Sequence, residues 1–86
     1  MKNFFDAIAL PGGWVFVGRK DVPGSIGAVV RISPFVTLRI FQLSGSGKGG
    51  IVEKRYNEKT RSFDYKCVIQ NKTVDEINEF ITKHYN

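Results

Sequence analysis

Cys67 and His84 are the only thiol and the only imidazole in the chain, so nucleophilic or transition-metal chemistry would have to start from them. A cysteine attacks as its thiolate, which needs solvent access and a base or positive charge beside it. Cys67 falls in Ser62–Ile69, where Phe63, Tyr65, Cys67 and Ile69 alternate with Ser62, Asp64, Lys66 and Val68. That period of two predicts a strand with one face in the core, and it makes Cys67 a small buried apolar residue. His84 lies in the last turn of a C-terminal helix, where its charge complements the helix dipole and fraying makes a poor active site. A single cysteine forms no internal disulfide, and a single histidine does not furnish a Cys/His zinc site. Asp75, Glu76 and Glu79 are spaced to meet a cation, but helix capping and solvation account for them. The expectation is a non-enzymatic protein with no cofactor and no metal.

Ser44-Gly45-Ser46-Gly47-Lys48-Gly49-Gly50 invites comparison with a phosphate-binding loop. The Walker A pattern needs a glycine five residues before the second one, a hydroxyl after the lysine and a following helix. Here Gln42 stands at the first glycine position, Gly49 follows Lys48, and a β-branched run comes next. A flexible inter-strand connection is the expected role. Lys48 stays a candidate anion contact because glycines let backbone approach a phosphate.

Val15-Phe16-Val17-Gly18 resembles the first half of the RNP2 strand of RNA-recognition-motif domains, in which a strand aromatic stacks on a base. The resemblance stops there. Arg19-Lys20 replaces the usual end of that strand, and no RNP1 segment with its K/R-G-F/Y-G/A-F core follows. Asp21–Gly27 carries a proline and two glycines where that fold has a helix. Phe16 is therefore expected as core filler.

Charge is the stronger signal. The net charge is +5 over 86 residues, and it is unevenly placed. From Gly12 to Lys72 eleven Lys and Arg stand against four acids; from Thr73 onward Lys83 stands against Asp75, Glu76 and Glu79. Arg31 and Arg39 alternate with apolar positions of two central strands. Lys54, Arg55, Lys59, Arg61 and Lys66 follow along a later hairpin with Tyr56 among them. Cations of this kind neutralise phosphates, and an interleaved aromatic can stack a base. Lysine-rich outer strands also guard sheet edges against aggregation, which is the plainer use of the same residues.

The elements that would position these residues are legible in outline. Asn3–Leu10 reads as a short helix capped by Asn3 and stopped at Pro11-Gly12-Gly13. Trp14–Val17 reads as a largely buried strand. Arg19-Lys20-Asp21-Val22-Pro23-Gly24 reads as a turn, Pro at i+1 and Gly at i+2 being the type II signature. Ala28–Ser33 and Val36–Leu43 flank Pro34, which cannot donate to a sheet ladder and so marks a bend, a bulge or a break. Ile51–Tyr56 and Ser62–Ile69 read as an antiparallel hairpin. Thr73 and Glu76 form a capping box, and Val74, Ile77, Phe80, Ile81 and His84 or Tyr85 make one apolar stripe of a helix.

Together these predict a single α+β domain over residues 1–86: a mainly antiparallel, twisted sheet of four to five strands with the C-terminal helix on one face. A small, partly open β-barrel is the alternative. Asp6 interrupts the apolar stretch after Lys2, too short for an export signal, and no membrane span is present. With one cysteine, a cytoplasmic setting is expected. The functional expectation is a small binding module that takes nucleic acid on a basic sheet or hairpin face. The alternative is a protein-interaction module, such as a subunit or inhibitor of a larger enzyme or complex, of the kind phage and plasmids encode. Unpaired sheet edges also allow a homodimer.

Overall fold

A computed structural model describes residues 4–12 and 14–85. Its strands are β1 (Phe16–Arg19), β2 (Ser25–Ser33), β3 (Val36–Leu43), β4 (Gly49–Asn57) and β5 (Ser62–Lys72), followed by the helix α1 (Val74–Tyr85). The sheet order is β1-β2-β3-β4-β5, every neighbour antiparallel. Short turns dictate this meander, because parallel neighbours would need long crossovers. Among the described residues β1 and β5 do not pair, so the sheet is open and the barrel alternative does not apply.

Turn chemistry sets the register. Val22 and Ser25 exchange both backbone hydrogen bonds at 3.0 Å around Pro23-Gly24, and Gly24 takes φ +85°, which its missing Cβ allows. Pro34 separates two strands: Ser33 pairs with Val36, and the Ser33 hydroxyl accepts the Phe35 N–H at 3.2 Å. The glycine-rich connection is tighter than its composition suggests. Gly49 and Gly50 belong to β4, and the turn closes where the Leu43 N–H donates to the Lys48 carbonyl at 2.9 Å. A Cβ on Gly50 would lie 2.8 Å from the Gln70 Cα, so close backbone approach, not flexibility, explains that glycine.

One sheet face carries the core. Val30, Leu38, Ile40 and Ile51 are fully buried against Ile77 and Ile81 of α1, with Phe4 and Ile8 closing one end. Each such side chain contributes about 1.5–3 kcal/mol by leaving water. The helix starts as its sequence predicts: Glu76 N–H donates to the Thr73 hydroxyl at 3.3 Å, and Thr73 N–H to the Glu76 carboxylate at 3.2 Å. Asn78 then clips α1 to the N-terminal segment, donating to the Ala7 carbonyl at 3.0 Å and accepting from the Ala9 N–H at 2.8 Å.

Three expectations change. The N-terminal helix is a single 3₁₀ turn, Phe5–Ala7, while Asn3 and Gly13 lie outside the described residues. The strand expected to be largely buried is an edge strand with Val15 and Val17 64% and 61% exposed. Trp14 and Phe16 are half-buried against the core, Trp14 6.4 Å from the Tyr85 ring and Phe16 meeting Phe5 edge-on, as the core-filler reading requires. Lastly, Cys67 is exposed, not buried. Val52 pairs with Cys67 but Ile51 pairs with Ile69, so Val68 is an extra residue in β5. Such a bulge reverses side-chain parity. Ile69 enters the core, while Phe63, Tyr65 and Cys67 share the opposite face.

Candidate nucleic-acid interface

The face opposite α1 follows from register alone, since directly paired residues project to the same side. Val29, Arg39, Val52 and Cys67 form one row; Arg31, Thr37, Lys54 and Tyr65 form the next. Tyr56 and Phe63 pair in a third row, with Phe35 of the β2–β3 turn 5.9 Å from the Tyr56 ring. The rings of Tyr56 and Phe63 meet edge-on at 5.3 Å.

The surface is concave. Lys20, just past β1, brings its Nζ to 6.0 Å from the Tyr65 ring on β5, so the open face curls around its centre. Between them lies a trough of about 320 Å³, floored by Val29, Thr37 and Val52 and rimmed by Lys20, Arg39 and Lys54. Arg39 is held in place: its Nε donates to the Lys20 carbonyl at 2.7 Å and its Nη2 to the Ser25 hydroxyl at 3.0 Å. Gly27 makes room for it, because a Cβ there would collide with the Arg39 guanidinium. Lys54 Nζ sits 4.5 Å from the Phe63 ring and 5.9 Å from that of Tyr65. Both rings stay open to solvent, Phe63 41% and Tyr65 62% exposed.

The strand-borne acids are on the other side. Glu53 pairs in register with the buried Leu38, and Asp64 with Arg55, so both face the helix side. Among the described residues Lys20, Arg31, Arg39 and Lys54 form no ion pair with a carboxylate.

The candidate residues therefore divide. Arg31, Arg39, Lys54 and Tyr56 come together on the open face. Arg55 and Lys66 lie on the helix side, where Arg55 Nε bonds Glu53 at 2.8 Å. That hydrogen bond, first among the causes, holds the Glu53 carboxyl below its ordinary value and raises the Arg55 guanidinium. Lys59 and Arg61 occupy the β4–β5 turn, and Lys48 the turn at the opposite end of β4. The Lys48 turn has little to offer a phosphate. The N–H groups of Ser44, Ser46 and Lys48 already donate to Gly24, Leu43 and the Ser46 hydroxyl.

Lys20, Phe63 and Tyr65 join the interface although the residue pattern alone does not select them. A signal was present, since counting outward from the Asn57–Ser62 closure opposes Tyr56 to Phe63 and Lys54 to Tyr65. Two other clefts lie on the helix side. The larger, about 580 Å³, mixes Glu53, Glu58 and Asp64 with Arg55, Lys59 and Lys66, a lining of both signs.

Catalytic geometry does not assemble around the thiol. Cys67 is on the open face, and His84 is on α1 across the sheet, stacked 4.3 Å from Phe80. Among the described residues no three His, Cys, Asp or Glu side chains gather to hold a metal, and no helix is long and apolar enough to cross a membrane. No protein-family model, curated protein or solved structure matches this chain.

Proposed function

We propose that this protein is a non-enzymatic nucleic-acid-binding module that uses the open face of its sheet. One observation carries the reading: the strands place Arg31, Arg39 and Lys54 on that face and their two acids, Glu53 and Asp64, on the other. A cationic surface with no strand carboxylate on it, Asp21 beside Lys20 being tied to Arg19 and the Gly27 N–H, and with exposed aromatics suits a polyanion that carries stackable bases. The exposed thiol of Cys67 supports a reducing, cytoplasmic setting. Fluorescence anisotropy with labelled oligonucleotides across a salt series tests the reading. Affinity falls steeply as salt rises, by a log–log slope of about 0.7–0.9 per phosphate neutralised. Replacing Lys20, Arg39 and Lys54 by Gln flattens that slope by about 2. Binding that is absent at low salt, or indifferent to salt, sinks the reading.

A protein-interaction module is the second reading, and β5 favours it. This strand runs eleven residues along a sheet edge, exposed over most of its length. A free edge of that kind can accept a partner's strand by backbone pairing. A second copy is one such partner: antiparallel pairing centred on Tyr65 sets Asp64 against Lys66 of the other strand, twice over. Capture of partners with tagged protein that persists after nuclease treatment supports this reading over the first. Light scattering coupled to size exclusion separates a homodimer from a monomer.

A further inference from the structure

Resting on the nucleic-acid reading, we propose that the trough between Lys20 and Tyr65 seats one unpaired base, which makes the ligand single-stranded. Its volume of about 320 Å³ lies at the small end for ligand pockets, and its chemistry is graded. Val29 and Val52 supply an apolar floor, the Thr37 hydroxyl a polar point on it, and Tyr65 an aromatic wall. The cations stand at the rim, where phosphates flanking a seated base would lie. A base within a duplex offers only its edge, whereas a ring-stacking seat needs a base turned out of its pair.

Lys54 shows how the seat is kept ready. Its ammonium lies over the Phe63 and Tyr65 rings at 4.5 and 5.9 Å, while both rings keep solvent-exposed surface. An incoming base displaces it, and the freed ammonium then meets the phosphate. Arg39 does not move, because its bonds to the Lys20 carbonyl and the Ser25 hydroxyl fix the guanidinium at the rim. Beyond Tyr65, the exposed rings of Phe63 and Phe35 continue along the face and offer stacking to the next bases.

The test compares single-stranded DNA, single-stranded RNA and the corresponding duplexes of one sequence by anisotropy at low salt. Either single strand binds at least tenfold more tightly than its duplex. Val52→Trp fills the trough without removing a charge, so it weakens single-strand binding at least tenfold and leaves the salt slope unchanged. Tyr65→Ala, at an exposed position that the fold does not need, weakens it fivefold or more; circular dichroism confirms that each variant is folded. Lys83→Gln, on α1 across the sheet from the open face, changes affinity less than twofold. Duplexes bound as tightly as single strands, with both trough variants silent, overturn the seat but leave nucleic-acid binding standing. No salt-sensitive binding to any of the four ligands overturns both.

Discussion

Glu53 ties β4 to α1 through one carboxylate. It accepts from Arg55 two residues along β4, and from the Tyr85 hydroxyl of α1 at 2.7 Å. The Arg55 hydrogen bond holds its carboxyl below the ordinary 4.5. The folded state therefore binds this proton less tightly than the unfolded chain. Its stabilising contribution is complete above about pH 4.5 and is lost as pH falls through the lower folded value. Glu76 shifts in the same direction through its bond from the Thr73 backbone. Tyr85 behaves oppositely: burial first, then Glu53, raises its phenol well above the ordinary 10. Its contribution is present below pH 10 and lost as pH rises beyond it. Urea midpoints should thus form a plateau between about pH 5 and 10. Glu53→Gln lowers stability by about 1 kcal/mol at pH 7 and makes the acid limb shallower. Tyr85→Phe shortens the alkaline limb. Arg61 is another residue-scale case, an arginine at φ +54° in the β4–β5 turn. Left-handed backbone costs a non-glycine residue about 1–2 kcal/mol, so Arg61→Gly raises stability by about 0.5–1 kcal/mol in urea melts.

Among the elements, the β4–β5 hairpin decides what the open face displays. Without the extra residue at Val68, the alternation in β5 would carry Phe63, Tyr65 and Cys67 into the core along with Ile69. The bulge separates them, and a second register shift adjoins it, between the Gly49–Lys72 and Ile51–Ile69 pairs, where Gly50 lets the backbone of Ile69 and Gln70 come close. Gly50→Ala forces a Cβ into that backbone and costs about 2 kcal/mol or more, read as a lowered urea midpoint. The helix depends on its cap in a more ordinary way. Thr73→Ala removes one hydrogen-bonded end of the capping box and costs about 1 kcal/mol by the same measurement.

At the scale of the whole molecule, the arrangement of charge matters more than its sum. Neutralising Lys20, Arg39 and Lys54 takes the net charge from +5 to +2, and so does neutralising Lys66, Lys72 and Lys83. Only the first set lies on the open face. The first triple variant flattens the salt dependence of oligonucleotide binding, and the second leaves it within error of wild type. Equal effects from both would mean that net charge, not the sheet face, attracts the ligand.

Local residue patterns were enough to specify the α1 cap and apolar stripe, the Pro23-Gly24 turn, the alternation of Val36, Leu38 and Ile40 with Thr37 and Arg39, and the excess of cations outside α1. These are local matters of capping geometry, backbone freedom and side-chain period. Tertiary structure alone decided the rest. One added residue in a strand inverts every side chain beyond it, and nothing in the alternation of Phe63 to Ile69 announces that residue. Exposure of Cys67, the division of Lys54 and Tyr56 from Arg55 and Lys66, and the approach of Lys20 to Tyr65 follow from the bulge, the strand register and the curl of the sheet. The basic run along β4 and β5 reads as one cluster in the chain, but the pleat distributes it over two faces, only one of which is free of the strands' acids.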